Sequence, residues 1–167
     1  FTNKVLNKSS KWDRCSITPG TKFMELLSNK IYYNFGNNPL CKISTSTDPG
    51  EGEHKLFHHV RDNVEYYKDK TTIVYGLDAD LIMLCINHLH ICSKLYLFRE
   101  TPEFIKHIDK SLNPNELYIL DIAELASNIC YTLNNNKICD TNQEKNKLFD
   151  YIFICFMLGN DFMPHFP

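Results

Sequence analysis

The hydrophobic positions of this chain change between two spacings, one typical of β-strands and the other of α-helices. Short runs rich in apolar and β-branched residues predict strands at residues 41–47, 71–77, 94–98 and 117–122. Apolar residues three or four positions apart predict helices that begin near residues 18, 51, 78, 121 and 143. Strands that alternate with helices favour an α/β fold, with a mainly parallel twisted sheet and helices on both faces.

The first and last helices carry more detailed expectations. Thr18 and Pro19 form a typical helix start, with Thr18 as the N-cap and Pro19 in the first turn. The last helix covers residues 143–158 and ends before Gly159. The residues that we expect it to bury on one face are Leu148, Ile152, Phe153 and Phe156.

The composition is that of a globular domain without a basic surface of its own. The 167 residues are 43% hydrophobic, which is enough for one α/β domain with a core. The formal net charge is −2, whereas self-sufficient nucleic-acid binders are usually basic. Either the chain binds no nucleic acid, or the basic surface lies outside these residues.

The cysteines and the two ends of the chain indicate where the protein works. The seven cysteines contain no CxxC pair, and several lie in apolar runs, which is typical of free thiols in a reducing, intracellular compartment. No signal peptide and no membrane span is visible. The chain begins at Phe1 and ends at Pro167, and we expect both ends to be cuts within a longer protein.

Acidic residues follow two of the predicted strands and the last helix. Glu51 and Glu53 come after the first strand, Asp78 and Asp80 after the second, and Asp161 after the last helix. In open α/β sheets, ligands bind beyond the carboxyl ends of the strands. Hydrolysis of a phosphodiester by two divalent metals needs carboxylates of this kind, because Mg²⁺ prefers oxygen ligands. We therefore expect these five carboxylates to converge in one cleft.

Each acidic pair also has a plain structural explanation. Carboxylates at a helix start interact favourably with the helix dipole and can be simple caps. The neighbouring glycines Gly50, Gly52 and Gly76 favour a site, because they permit a close approach that caps do not need.

A second cluster has the residue types of a zinc site. Cys85, His88, His90 and Cys92 have suitable side chains, but their spacing is unusual for structural zinc, and Cys85 lies on an apolar helix face. Packing is the favoured interpretation of this cluster.

Five short motifs resemble those of the XRN family of 5′→3′ exoribonucleases, and they occur in the family's order. They are SITPGTKFM at 16–24, PGEGEHK at 49–55, YGLDADLIML at 75–84, FRE at 98–100 and GNDFMPH at 159–165. Together they extend over nearly the whole chain, which makes the resemblance far more specific than any single motif. One departure is the single acid Asp150 before the last motif, where relatives often have two in a row.

The resemblance implies a PIN/flap-nuclease-like fold and two-metal hydrolysis of single-stranded RNA that bears a 5′-monophosphate. By this resemblance, five acids of this chain would hold two Mg²⁺ or Mn²⁺ ions. Asp78, Asp80 and Asp161 would lean toward one ion and Glu53 toward the other, with Glu51 bound directly or through water.

The family's site has seven carboxylates and a basic pocket for the 5′-phosphate. Two of the acids and the pocket belong to an N-terminal part that these residues lack, which accounts for the missing positive charge. We therefore expect residues 1–167 to be the C-terminal portion of a single nuclease domain, inactive alone.

Two other functions remain open at this point. One is a flap-type 5′ DNA nuclease, and the other is a non-catalytic RNA-binding scaffold of the same fold. The PGEGEHK and ITPGT strings resemble the RNA enzymes more closely, and intact acids argue against a scaffold because clustered charges repel. The location would be cytoplasmic or nuclear, and the pattern names no protein partner.

Overall fold

The computed structural model describes residues 12–100, 110–113, 116–159 and 164. The chain forms two compact units, Phe1–Lys55 and Leu56–Pro167. The described helices are a 3-10 helix Arg14–Ile17, α1 (Lys22–Phe35), α2 (Gly52–Asp62), α3 (Val64–Tyr67), α4 (Asp80–Asn87), α5 (Ile122–Leu133) and α6 (Thr141–Met157). The described strands are β1 (Thr71–Tyr75), β2 (Lys94–Glu100) and β3 (Leu117–Asp121).

The first helix of the first unit begins later than its sequence predicts. Thr21, rather than Thr18, is the N-cap of α1, and its side chain accepts a hydrogen bond from the backbone N–H of Met24. Residues 18–20 form a turn in which Gly20 has φ +87°. Because that conformation favours glycine, the Thr18-Pro19-Gly20 segment turns the chain into the helix instead of starting it.

The strand predicted at residues 41–47 is wrong, since this segment contains no strand. The side chain of Asp48 accepts hydrogen bonds from Ser44 Oγ at 2.8 Å and from the backbone N–H of Thr45 at 3.1 Å. Such local bonds from serine, threonine and aspartate compete with a strand ladder for the same backbone groups. Alternating side chains therefore mark a loop here.

The sheet of the second unit has the order β1-β2-β3. The β1–β2 pair is parallel and aligns Val74 with Leu97, and α4 lies between these strands along the chain. The β2–β3 pair is antiparallel and aligns Leu97 with Leu120. The α/β class is confirmed, but the described sheet is mixed rather than mainly parallel, because the hydrophobic spacing within a strand does not reveal the direction of its neighbour.

The core of the second unit lies on one face of the sheet. Val74, Leu95 and Leu97 pack there with residues from α2, α4 and α5, such as Phe57 and Ile122. On the other face, the side chains of Ile73, Tyr75, Leu117 and Ile119 are all 59–60% exposed. The described helices therefore cover one face, whereas the sequence predicted helices on both.

The last helix confirms its predicted position but not all of its predicted burial. Asp140 caps α6 through a reciprocal pair of hydrogen bonds with Gln143. Leu148 and Ile152 pack against the core, but Phe153 is 62% exposed and Phe156 is also exposed. An apolar helix position is buried only where another element covers it, and the described elements cover the Leu148 side alone.

Among the residues that the structure describes, no helix combines the length and the apolar character needed to cross a membrane.

Candidate metal site

A structured loop leads into the first pair of acids. Lys55 Nζ donates a hydrogen bond to the carbonyl of Thr45 at 2.8 Å and another to the carbonyl of Asp48 at 3.3 Å. The loop then turns at Gly50, where φ is +91°. A side chain at this φ would strain the backbone. The PGEGEHK motif is therefore a compact turn that Lys55 closes from the first turns of α2.

Asp48 stabilises the same loop through its charge. Hydrogen bonds from the Ser44 hydroxyl and the Thr45 backbone N–H lower the pKa of Asp48 below its ordinary value, with a smaller contribution from the Lys55 ammonium. These bonds favour the ionised carboxylate. Asp48 thus stabilises the turn through these hydrogen bonds and is not a candidate metal ligand.

The first pair of acids forms a potential metal-binding group with a histidine. One ligand atom from each of Glu51, Glu53 and His54 lies within 4.8 Å of the other two. His54 Nε2 is 3.7 Å from Glu51 Oε2, and both of these side chains are about half exposed. Two carboxylates suit hard divalent cations such as Mg²⁺, and an added imidazole also suits transition metals.

His54 is the site residue that sequence reasoning missed. The sequence places His54 in the PGEGEHK motif but gives no sign there that it is a ligand. The signal was available, because Glu51 and His54 are three residues apart at a helix start and such residues are neighbours on a helix surface.

The second pair of acids lies where β1 meets α4. The backbone N–H of Gly76 donates to the carbonyl of Phe98 at 3.3 Å, which extends the β1–β2 ladder by one residue beyond Tyr75. Asp78 Oδ1 then accepts a hydrogen bond from the backbone N–H of Asp80 at 3.3 Å, and Asp80 lies in the first turn of α4. The two carboxylates are thus fixed to one short connection between a strand and a helix.

Gly76 permits that connection to be tight. A Cβ atom at Gly76 would lie 2.2 Å from Leu81 Cδ1, and Leu81 is buried in the core. The missing side chain therefore lets the end of β1 pass directly against α4, which is a packing contact and does not test the expectation that the glycines mark a site. A Cβ at Gly52 would meet no atom within 4 Å, so no close approach requires that glycine.

The structure tests the predicted cluster of five acids only in part. It brings Glu51 and Glu53 together in the first unit, and it joins Asp78 to Asp80 in the second. Convergence of the two pairs in one cleft stays a prediction. Asp161 lies outside the described residues.

In the possible zinc cluster, Cys85, His88 and Cys92 are buried in the second unit and His90 is exposed. Cys85 and Cys92 are fully buried, and burial raises the pKa of Cys85 to about 12. His88 Nδ1 donates to the carbonyl of Leu84 at 2.6 Å, while its Nε2 accepts from Arg61 Nη1 at 2.9 Å. Both ring nitrogens of His88 are therefore engaged, and the packing interpretation is favoured.

A comparison with protein families finds a match over more than half of the chain. The family described as "XRN 5'-3' exonuclease N-terminus" matches residues 2–101, which is more than half of the sequence. The matched region includes both pairs of acids.

Individual relatives extend the similarity over almost the whole chain. The protein named "5'-3' exoribonuclease 2" of Yarrowia lipolytica is 33% identical over 184 residues, covering 100% of this chain and 18% of the relative. Its namesake in Saccharomyces cerevisiae is 31% identical, covering 98% of the chain and 19% of the relative. "5'-3' exoribonuclease 1" of Schizosaccharomyces pombe is 32% identical, covering 94% and 13%. The chain thus spans less than a fifth of the length of these relatives.

Proposed function

Because this chain belongs to the XRN 5′-3′ exonuclease family, we propose that it supplies acidic residues to the active site of a 5′→3′ exoribonuclease. The observation that carries the proposal is the grouping of Glu51, Glu53 and His54 at one helix start, in a chain whose relatives are named exoribonucleases. The Asp78–Asp80 pair supports it, since the connection from β1 to α4 carries two more carboxylates.

We assign the carboxylates to two divalent ions, Mg²⁺ or Mn²⁺. Asp78, Asp80 and Asp161 would hold one ion, Glu53 the other, and Glu51 would bind directly or through water. When bound, such ions activate a water molecule and stabilise the leaving oxygen of a phosphodiester. The chain's own contribution is to fix the carboxylates by the Lys55-closed turn and by the Gly76 connection. His54 is an additional candidate ligand or a partner of Glu51.

The proposed substrate is single-stranded RNA with a 5′-monophosphate. The names of the relatives support RNA as the polymer and the 5′→3′ direction. The net charge of −2 supports a site made from two parts of the enzyme. This chain would supply metal-binding acids, and the basic residues that attract the phosphates would lie in another part. Residues 1–167 would then be the C-terminal portion of one nuclease domain.

We place the enzyme inside the cell, in the cytoplasm or the nucleus. All seven cysteines lie among the described residues and all are free thiols, which supports a reducing compartment.

The test uses the full-length protein that contains this chain, with RNA labelled at either end. We expect Mg²⁺-dependent release of mononucleotides from the 5′ end of 5′-monophosphorylated RNA, and resistance of 5′-hydroxyl RNA. Asp80→Asn should abolish turnover, while Asp62→Asn, which removes an exposed acid at the far end of α2, should not. Shortening from the 3′ end, equal attack on 5′-hydroxyl RNA, or faster cleavage of matched DNA would overturn the proposal.

A further inference from the structure

A single side chain of β2 holds the backbone segment that carries Asp78. The β1–β2 ladder ends at the bond from the Gly76 N–H to the Phe98 carbonyl. One residue later, the carbonyl of Leu77 accepts a hydrogen bond of 2.7 Å from Arg99 Nη2. The arginine side chain thus continues the strand pairing after the backbone has left the sheet.

The local surroundings of Arg99 give little other reason for an arginine. Its backbone pairs with Tyr118 of β3, and its side chain is partly buried. Its Nε is buried and has no hydrogen-bond partner among the residues that the structure describes. A buried donor without a partner costs free energy, so a shorter apolar residue would be less costly if packing were the only requirement. The contact that Arg99 does make is with the backbone beside a proposed metal ligand.

We propose that Arg99 is a positioning residue for Asp78 and Asp80, an inference that rests on the proposed function. The Arg99 bond fixes the Leu77 carbonyl, and the next residue is Asp78. Asp78 Oδ1 accepts from the Asp80 N–H, so a shift of this connection displaces both carboxylates together. Guanidinium is suited to the task, because it is always charged and presents its donors in a rigid plane.

Loss of this bond should act on metal binding more than on folding. The connection is short, and the bond that the Asp78 side chain accepts from the Asp80 N–H lies within it and does not tie it to the sheet. Removing partners that orient metal ligands typically weakens metal affinity or activity by about 10–100-fold. The proposal therefore predicts a higher metal requirement in an Arg99 variant that still folds.

The experiment compares Arg99→Ala, Arg99→Lys and wild type in the full-length protein. The readouts are the Mn²⁺ concentration that gives half-maximal RNA hydrolysis, kcat at saturating Mn²⁺ and, independently of activity, the rise in melting temperature that Mn²⁺ produces in the absence of RNA, which should need more Mn²⁺ in Arg99→Ala. We expect the half-maximal concentration to rise at least ~10-fold in Arg99→Ala. Millimolar guanidinium chloride should lower it again, and Arg99→Lys should show a smaller rise. Because Lys preserves the charge and the stem, it keeps the test valid if Arg99→Ala fails to fold.

A matched control is Arg61→Ala, which removes another arginine with one described acceptor, His88, but none next to a proposed ligand. It should lower the melting temperature without changing the Mn²⁺ requirement or responding to guanidinium. An unchanged Mn²⁺ requirement in folded Arg99 variants would overturn the positioning role while leaving the proposed function standing. Wild-type protein that hydrolyses RNA without a metal would instead defeat the proposed function itself.

Discussion

Arg61 and His88 form a hydrogen bond of 2.9 Å that joins α2 to the C-cap of α4. The guanidinium can only donate, so His88 Nε2 accepts and its Nδ1 carries the proton that goes to the carbonyl of Leu84. His88 is 2% exposed and stacks on Phe57 at 4.4 Å between ring centres. The folded protein therefore selects the neutral form of this histidine.

The first prediction is a loss of stability on acidification through His88. Burial lowers the pKa of His88 below its ordinary 6.5, with smaller contributions from Arg61 and His90. Below pH 6.5, His88 binds a proton in the unfolded chain but stays neutral in the folded chain until a lower pH. The free energy of unfolding therefore falls as the pH drops. His88→Gln should flatten this dependence between neutral pH and the acid side of 6.5, as measured by urea unfolding at a series of pH values.

The control for that experiment is Leu97→Val, which loosens the core at a fully buried residue without removing an ionisable group. It should lower the free energy of unfolding but keep the wild-type dependence on pH. If His88→Gln retains the full wild-type slope, the buried neutral histidine is not its source.

The second prediction concerns the two faces of the sheet. Leu97 is fully buried, whereas Leu117 on the neighbouring strand is 59% exposed. Leu97→Ala should lower the free energy of unfolding by about 2–5 kcal/mol, because it removes buried methyl groups and leaves a cavity. Leu117→Ala should change the free energy of unfolding by no more than about 0.5 kcal/mol, as is usual at exposed positions. Equal losses in urea unfolding would show that the Leu117 face is also covered.

The third prediction concerns the tight approach at Gly76. Gly76→Ala should lower the free energy of unfolding by about 1–3 kcal/mol, since its Cβ would meet the buried Leu81 side chain. In a Leu81→Ala background the same change should cost much less, because the clashing atoms are gone. This is a double-mutant cycle, and additive costs would argue against the contact.

Gly52 offers the matched glycine for that cycle. A Cβ there would meet no atom within 4 Å, and Gly52 begins α2. Gly52→Ala should be neutral or slightly stabilising, because alanine loses less backbone entropy than glycine in a helix.

Most strands and helices of the second unit could be predicted from sequence because they have strong local signals, but α3 had no prediction of its own. β1, β2 and β3 coincide with short apolar runs, and α5 begins where Asp121 accepts a hydrogen bond from the N–H of Glu124. The segment 41–47 failed because its serine and threonine side chains bond locally to Asp48, which hydrophobic alternation does not reveal.

The candidate site also contains residues that the sequence indicates and residues that it does not. Sequence reasoning named the carboxylates of both pairs as candidates, since both pairs stand at helix starts close to glycine, and their role as ligands stays a prediction. It missed His54, and it placed Arg99 only within the FRE motif at 98–100. The bond from Arg99 to Leu77 joins residues 22 positions apart, and no local pattern encodes such a contact.

The central claim is that the acidic pairs bind divalent metal ions. Its most direct test measures Mn²⁺ binding to the protein, through the change in melting temperature and through the paramagnetic signal of the bound Mn²⁺. Mn²⁺ should raise the melting temperature by mass action, and Asp78→Asn with Asp80→Asn should remove most of that rise, leaving only the part due to the ion at Glu53. The control removes two other exposed acids of the second unit by Asp62→Asn with Asp69→Asn, and it should bind Mn²⁺ as wild type does. Equal Mn²⁺ binding by wild type and the Asp78/Asp80 variant would contradict the assignment of these carboxylates to the metal.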